Sequence, residues 1–121
     1  MNLKSSAQPI PVVTYPALVG QVIAHRRGAK GLNQGALAAA LGLSQSAYSR
    51  LESGASVLNL SQLRVVAEQL GLSPAEILKS ADQYALRLHQ QGVQIVPGKQ
   101  DPTAAIVIGL GLLAALFMSS G

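Results

Sequence analysis

Stretches with apolar spacing, each opened by a capping side chain and closed by glycine, follow one another through the middle of the chain. This punctuation leaves little room for anything but short helices. Asn33 precedes Gln34–Leu41, which Gly42 stops. Ser44 precedes a stretch running to about Ser53, which Gly54 stops. Asn59, with Gln62 three residues on, opens a stretch carrying Leu60, Leu63, Val66, Ala67 and Leu70, closed by Gly71. Ser73-Pro74-Ala75-Glu76 joins a cap, a first-turn proline and a glutamate at the third position, and the helix it opens is expected to reach about Gln91. Its apolar side holds Ile77, Leu78, Ala81, Ala85 and Leu88. An Asn or Ser oxygen accepts from an otherwise unpartnered N–H of the first turn, and glycine enters the left-handed conformation that ends a helix at no Cβ penalty. Upstream, Pro16 opens a first helix in which Leu18, Val19, Val22, Ile23 and Arg26 recur at helical spacing. It is expected to end near Arg27 or Gly28, where Arg26, Arg27 and Lys30 suit the negative end of the dipole.

Composition removes several classes of chemistry. The chain has no cysteine, which excludes a disulfide framework, a cysteine-based zinc site and a thiol nucleophile. His25 and His89 read as surface residues, and with five scattered carboxylates they are not expected to form a metal cage. No Ser-His-Asp order, paired carboxylate or phosphate-cradling loop is present, and Gly109-Leu110-Gly111 sits inside an apolar run rather than a nucleotide fingerprint. Neither an enzyme nor a cofactor is expected. A net charge of +4 is compatible with nucleic acid or an anionic membrane surface and decides neither.

These signals divide the chain into four parts. Residues 1–15 read as a flexible, partly extended arm, because Pro9, Pro11 and Pro16 break any apolar helix and no continuous leader-like run follows the start. Residues 16–91 form a five-helix domain expected to stay in the cytoplasm. Residues 92–103 are a linker in which Val93–Val96 is at most one strand without a partner. Residues 104–118, AAIVIGLGLLAALFM, are an apolar helix. The fold class expected is all-α.

The stretch from Gln34 to Leu51, QGALAAALGLSQSAYSRL, meets the demands of a helix-turn-helix. Ala38 is small where two helices must cross, and Gly42 supplies the turn. Leu37, Leu41, Leu43, Tyr48 and Leu51 fall where the two helices meet the core. The wider pattern VGQVIAHRR, GLNQGALAAALGLSQSAYSRLESG and NLSQLRVVAEQLGLSPAEIL resembles the XRE-type helix-turn-helix domain of the lambda-repressor superfamily over residues 19–78. The resemblance implies a five-helix lambda-repressor-like fold, a third helix that enters the major groove of double-stranded DNA, and a homodimer. The loop Gly54-Ala55-Ser56-Val57-Leu58 lacks the basic residue and the proline frequent in that family, which leaves its phosphate contacts to backbone N–H groups or Ser56.

The expected DNA contacts follow from the third helix. Ala47, Tyr48 and Leu51 point inward, so Gln45, Ser46, Ser49 and Arg50 point outward. Gln suits adenine N6 and N7, and Arg suits guanine O6 and N7. Ser44 caps that helix and stands where a phosphate would lie. Gln34 matches a glutamine that grips a phosphate in the family. Arg27 matches a position that is frequently basic, and it serves either the DNA backbone or an internal pair with Glu52 or Glu68.

The apolar tail has two main readings. As a helix, residues 104–118 span roughly 22 Å and residues 102–121 about 30 Å, enough to cross a hydrocarbon core of about 30 Å. Lys99 suits a cytoplasmic flank, and Ala105/Gly109 and Gly111/Ala115 are small pairs at membrane-helix spacing. Otherwise the tail completes an oligomer core or docks on a partner. The function expected is therefore a sequence-specific transcriptional regulator, tethered to the inner membrane by 104–118. The rivals are an autoregulatory antitoxin-like protein whose tail covers a partner, and a membrane scaffold whose helix-turn-helix binds protein.

Overall fold

The computed structural model describes residues 10–98 and 105–107. Among them are a strand β1 (Ile10–Thr14), five helices α1 (Tyr15–Ala29), α2 (Gln34–Leu41), α3 (Gln45–Ser53), α4 (Leu60–Leu70) and α5 (Pro74–Gln90), and two further strands β2 (Gln94–Val96) and β3 (Ala105–Val107).

The starts of α2 to α5 carry the caps that the sequence announces. Asn33 and Ser44 accept from the N–H groups of Ala36 and Ala47. Asn59 with Gln62, and Ser73 with Glu76, make reciprocal capping boxes. Thr14 caps α1 by accepting from Ala17, a role not read from the sequence. Gly42, Gly54 and Gly71 end their helices with φ of 69°, 83° and 70°.

The helices enclose one main core, in which Leu18, Ile23, Leu37, Tyr48, Val66 and Ile77 are fully buried. Two glycines set how closely α1 and α3 approach. A Cβ on Gly20 would collide with the Glu52 carbonyl oxygen, and one on Gly54 would stand 2.6 Å from the Ala17 backbone nitrogen. Tyr15 at the start of α1 donates to Asp82 on α5 at 2.7 Å. Partial burial and this carboxylate push the Tyr15 hydroxyl up to about 12.

Several expectations need correction. The fold is not all-α, because the strands form a three-stranded parallel sheet in the order β2-β1-β3. Val12 pairs with Gln94 and Thr14 with Val96 on one side, while Ile10 pairs with Ala105 and Val12 with Val107 on the other. Part of the arm is thus the central strand, and part of the linker is an edge strand. Val12 and Val96 bury each other in a small cluster apart from the main core. The residues 105–107, expected in an apolar helix, are strand. Their partner lies almost the whole chain away, so neither strand reveals itself locally, and Pro11 argues against a central strand because it cannot donate to a ladder. The remainder of the expected helix, residues 104 and 108–118, and the first nine residues lie outside the described residues. Among the described residues no helix is long and apolar enough to cross a membrane. Leu60, expected on the apolar face of α4, is 83% exposed. It is the first residue of its helix.

Candidate nucleic-acid interface

The interface is built from α2, the turn Gly42–Ser44 and α3. Ala38 is buried, 3% exposed, in the helix that packs against α3. Gly42 takes the left-handed conformation that turns the chain, and the Leu43 N–H returns to the Ala38 carbonyl at 2.9 Å. Leu37, Tyr48 and Leu51 are buried, and Leu41 and Leu43 pack half-buried against the same core. Ala47, also expected inside, is only half-buried, and Gly42 in the turn is exposed.

The opposite side of α3 faces solvent. Ser44, Gln45, Ser46 and Arg50 are exposed, while Ser49 and Ser56 are half-buried. The Ser44 hydroxyl accepts the Ala47 N–H at 3.1 Å and lies 3.3 Å from the Ser46 hydroxyl. In the loop after α3, the N–H groups of Gly54, Ala55 and Ser56 are directed to Leu51 O, Ser53 Oγ and Arg50 O. Those three amides are engaged within the chain, so the Ser56 hydroxyl is the group of this loop segment left to meet a phosphate.

Glu52 is the carboxylate of α3, and it is turned away from that face. It is 4% exposed and gathers four donor contacts. Arg27 Nε approaches Oε2 at 2.6 Å and Arg27 Nη2 approaches Oε1 at 3.1 Å. The Tyr48 hydroxyl donates to Oε2 at 2.8 Å, and the Gln34 side-chain amide donates to Oε1 at 3.0 Å. A third Arg27 nitrogen donates to the Leu32 carbonyl at 2.9 Å. The Glu52 carboxylate raises the Arg27 pKa further, and burial beside it pushes the Tyr48 hydroxyl well above the usual phenol range. With its one acid withdrawn and paired, α3 presents hydroxyls, an amide and the Arg50 guanidinium. A small, charge-complementary polar face on a helix held by a tight turn is suited to a groove lined with hydrogen-bonding base edges.

Residues 23–77 match a helix-turn-helix family model, HTH_3. The match supports a helix-turn-helix domain of the XRE type at those residues. The match lies within the 19–78 expected from the motifs. Two crystal structures of the clp gene regulator ClgR from Corynebacterium glutamicum resemble the chain. One is 29% identical with a TM-score of 0.59, covering 64% of this chain and 83% of its own. The other is 29% identical with a TM-score of 0.54, covering 57% of this chain and 90% of its own. No curated protein matches the chain.

Within the helix-turn-helix domain, the sequence left Arg27 between the DNA backbone and an internal pair with Glu52 or Glu68; the structure pairs it with Glu52, and the convergence of Tyr48 and Gln34 on the same carboxylate was not read from the sequence. Tyr48 and Glu52 are four residues apart on one helix, a spacing that places them side by side. That spacing was the available signal. Gln34, expected at a phosphate, spends one of its two amide hydrogens on Glu52 and keeps the other. Arg26 reaches the Ser80 hydroxyl on α5 at 3.4 Å. His25 and His89 are exposed, and among the described residues no group of His, Cys, Asp and Glu could hold a metal ion.

Proposed function

We propose that the protein is a sequence-specific transcription regulator that binds double-stranded DNA as a homodimer in the cytoplasm and performs no catalysis. The observation that carries this reading is the face of α3. Gln45 and Arg50 stand exposed on it, and the acid of the same helix is buried under Arg27. Gln45 and Arg50 read base edges, Ser46 and Ser49 line the contact, and Ser44, Gln34 and Ser56 hold phosphates on either side. The likeness to ClgR, described as a regulator of the clp gene, supports a regulatory role for the domain. Phosphate contacts position a protein, while base-edge contacts specify the site.

The test is selection of bound duplexes from a random-sequence pool by the full chain, followed by titration of the enriched sequence. Enrichment of an inverted repeat, with half-sites about one helical turn apart, is the expected result for a dimer of such domains. A pool that stays random after repeated rounds overturns the reading.

A further inference from the structure

A cleft opens between the second half of α1 and α5. It encloses about 300 Å³, at the small end of the range for ligand pockets. From α1 it is lined by His25 and Arg26, with Val22 and Ala29 as apolar lining. From α5 come Ser80, Gln83, Tyr84 and Arg87. Two guanidinium groups on different helices therefore border one cavity, and no carboxylate is among the lining residues.

Both arginines are exposed, and each has a contact within the cleft. Arg26 Nη2 meets the Ser80 hydroxyl at 3.4 Å, which engages one of its five N–H donors. Arg87 lies over the Tyr84 ring, 5.2 Å from the centroid, a contact that restrains its planar charge. The acids of α5 are committed elsewhere. Glu76 closes the capping box with Ser73, within electrostatic reach of Arg26, and Asp82 accepts the Tyr15 hydroxyl at 2.7 Å. Two cations bordering the same cavity repel each other, and an anion between them replaces that repulsion with charge-assisted hydrogen bonds.

The cleft lies apart from the candidate DNA face. Gly20 and Arg27 are the α1 residues that meet Glu52 of α3. At about 3.6 residues per turn, Val22, His25 and Ala29 stand roughly 140–180° around α1 from those two. An anion held here is thus a different ligand from a duplex read by α3.

We propose that this cleft binds a small organic anion, a phosphate monoester or a carboxylate, whose charge sits between Arg26 and Arg87 and ties α1 to α5. Ser80 and Gln83 offer hydrogen bonds to its polar atoms, and Val22 and Ala29 meet its carbon skeleton.

The test uses the full chain without DNA, so its failure is distinct from failure of the DNA-binding reading. Glycerol phosphate, citrate and inorganic phosphate are titrated at constant ionic strength while backbone amide resonances are followed by NMR, with uncharged glycerol as control. The expected result is saturable shifts with glycerol phosphate or citrate, centred on Arg26, Ala29 and Gln83, and none with glycerol. Which of the two saturates first separates a phosphate site from a carboxylate site. Arg26→Gln and Arg87→Gln should each weaken this binding about tenfold. Gln83→Glu keeps both arginines, adds a carboxylate at an exposed position and should weaken binding as well. Arg64→Gln removes an equal charge from the exposed side of α4 and should leave binding unchanged. Equal weakening by Arg64→Gln, or shifts that never saturate, overturns the proposal in favour of general charge attraction. A response to inorganic phosphate alone overturns it as an adventitious ion only. Cleft resonances that move only when a random-sequence duplex is added overturn it in favour of a nucleic-acid backbone contact. A second readout is thermal unfolding: the bound anion should raise the melting temperature of the native chain and not that of the Arg26→Gln/Arg87→Gln double variant. Equal rises in both count against the site.

Discussion

Arg27 on α1 and Glu52 on α3 form a two-point contact, with Nε–Oε2 at 2.6 Å and Nη2–Oε1 at 3.1 Å, beneath the helix that presents the candidate DNA face. A two-point fork of this kind needs the planar guanidinium of arginine. Arg27→Ala leaves a buried carboxylate short of its counter-ion and is expected to cost about 3–5 kcal/mol. Arg27→Lys should recover only part of the loss, since an ammonium cannot make the fork. Urea denaturation of the three forms checks this. Equal stability of Arg27→Ala and the native chain would refute a structural role for the pair.

Tyr48→Phe keeps the core volume and removes one donor to Glu52. The expected cost is about 1–2 kcal/mol. In the double variant Tyr48→Phe/Arg27→Ala the effects should not add, because both groups serve the same carboxylate. A thermodynamic cycle from chemical denaturation measures the coupling.

Base readout predicts a different signature. Gln45→Ala and Arg50→Ala should each weaken specific DNA binding by about 1–3 kcal/mol and relax preference at one base pair, with the melting temperature unchanged. Ser56→Ala should instead weaken binding to all sequences alike. Gel-shift titrations on the selected duplex and on single-base variants separate the two patterns.

Two glycines of α1 should respond in opposite directions to the same change. Gly20→Ala drives a methyl group into the backbone of Glu52, where nothing flexible can yield, and is expected to destabilise by about 3 kcal/mol. Gly28→Ala meets nothing within 4 Å and should stabilise by about 0.5 kcal/mol through helix propensity. Thermal unfolding of the two variants decides.

Glu76 closes the capping box of α5, and hydrogen bonds from the Ser73 backbone and side chain hold its pKa below the ordinary carboxylate value. A depressed folded pKa means stability that is present above the unfolded pKa and lost as pH falls through the folded one. Melting temperature should therefore drop more steeply below about pH 4.5 in the native chain than in Glu76→Gln. Parallel slopes for the two would remove the carboxylate from the cap.

The helices were legible because their signals are local. Ser73 and Glu76, or Ser44 and Gly54, state a start or a stop within a few residues. The face of α3 was legible for a related reason: Tyr48 and Leu51 must enter the core, which turns Gln45 and Arg50 outward. What the sequence hid were pairings across distance. Val12 gives no sign that Gln94 and Val107 will flank it, and Pro11 points the wrong way. Nor does composition show that Tyr48, Gln34 and Arg27, from three helices, will meet at one carboxylate. Four hydrogen-bond donors brought there make a buried acid tolerable, and only the assembled core reveals it.

The placement of β1 between β2 and β3 also orders events in time. During synthesis β1 leaves the ribosome first, yet its partners follow only after all five helices have emerged. Helical contacts between neighbours form early, and the sheet closes only once distant segments can meet. The sheet is thus a clasp fastened last, and a chain interrupted before Gln94 would leave a folded helical body with its first strand still open to the wrong neighbour.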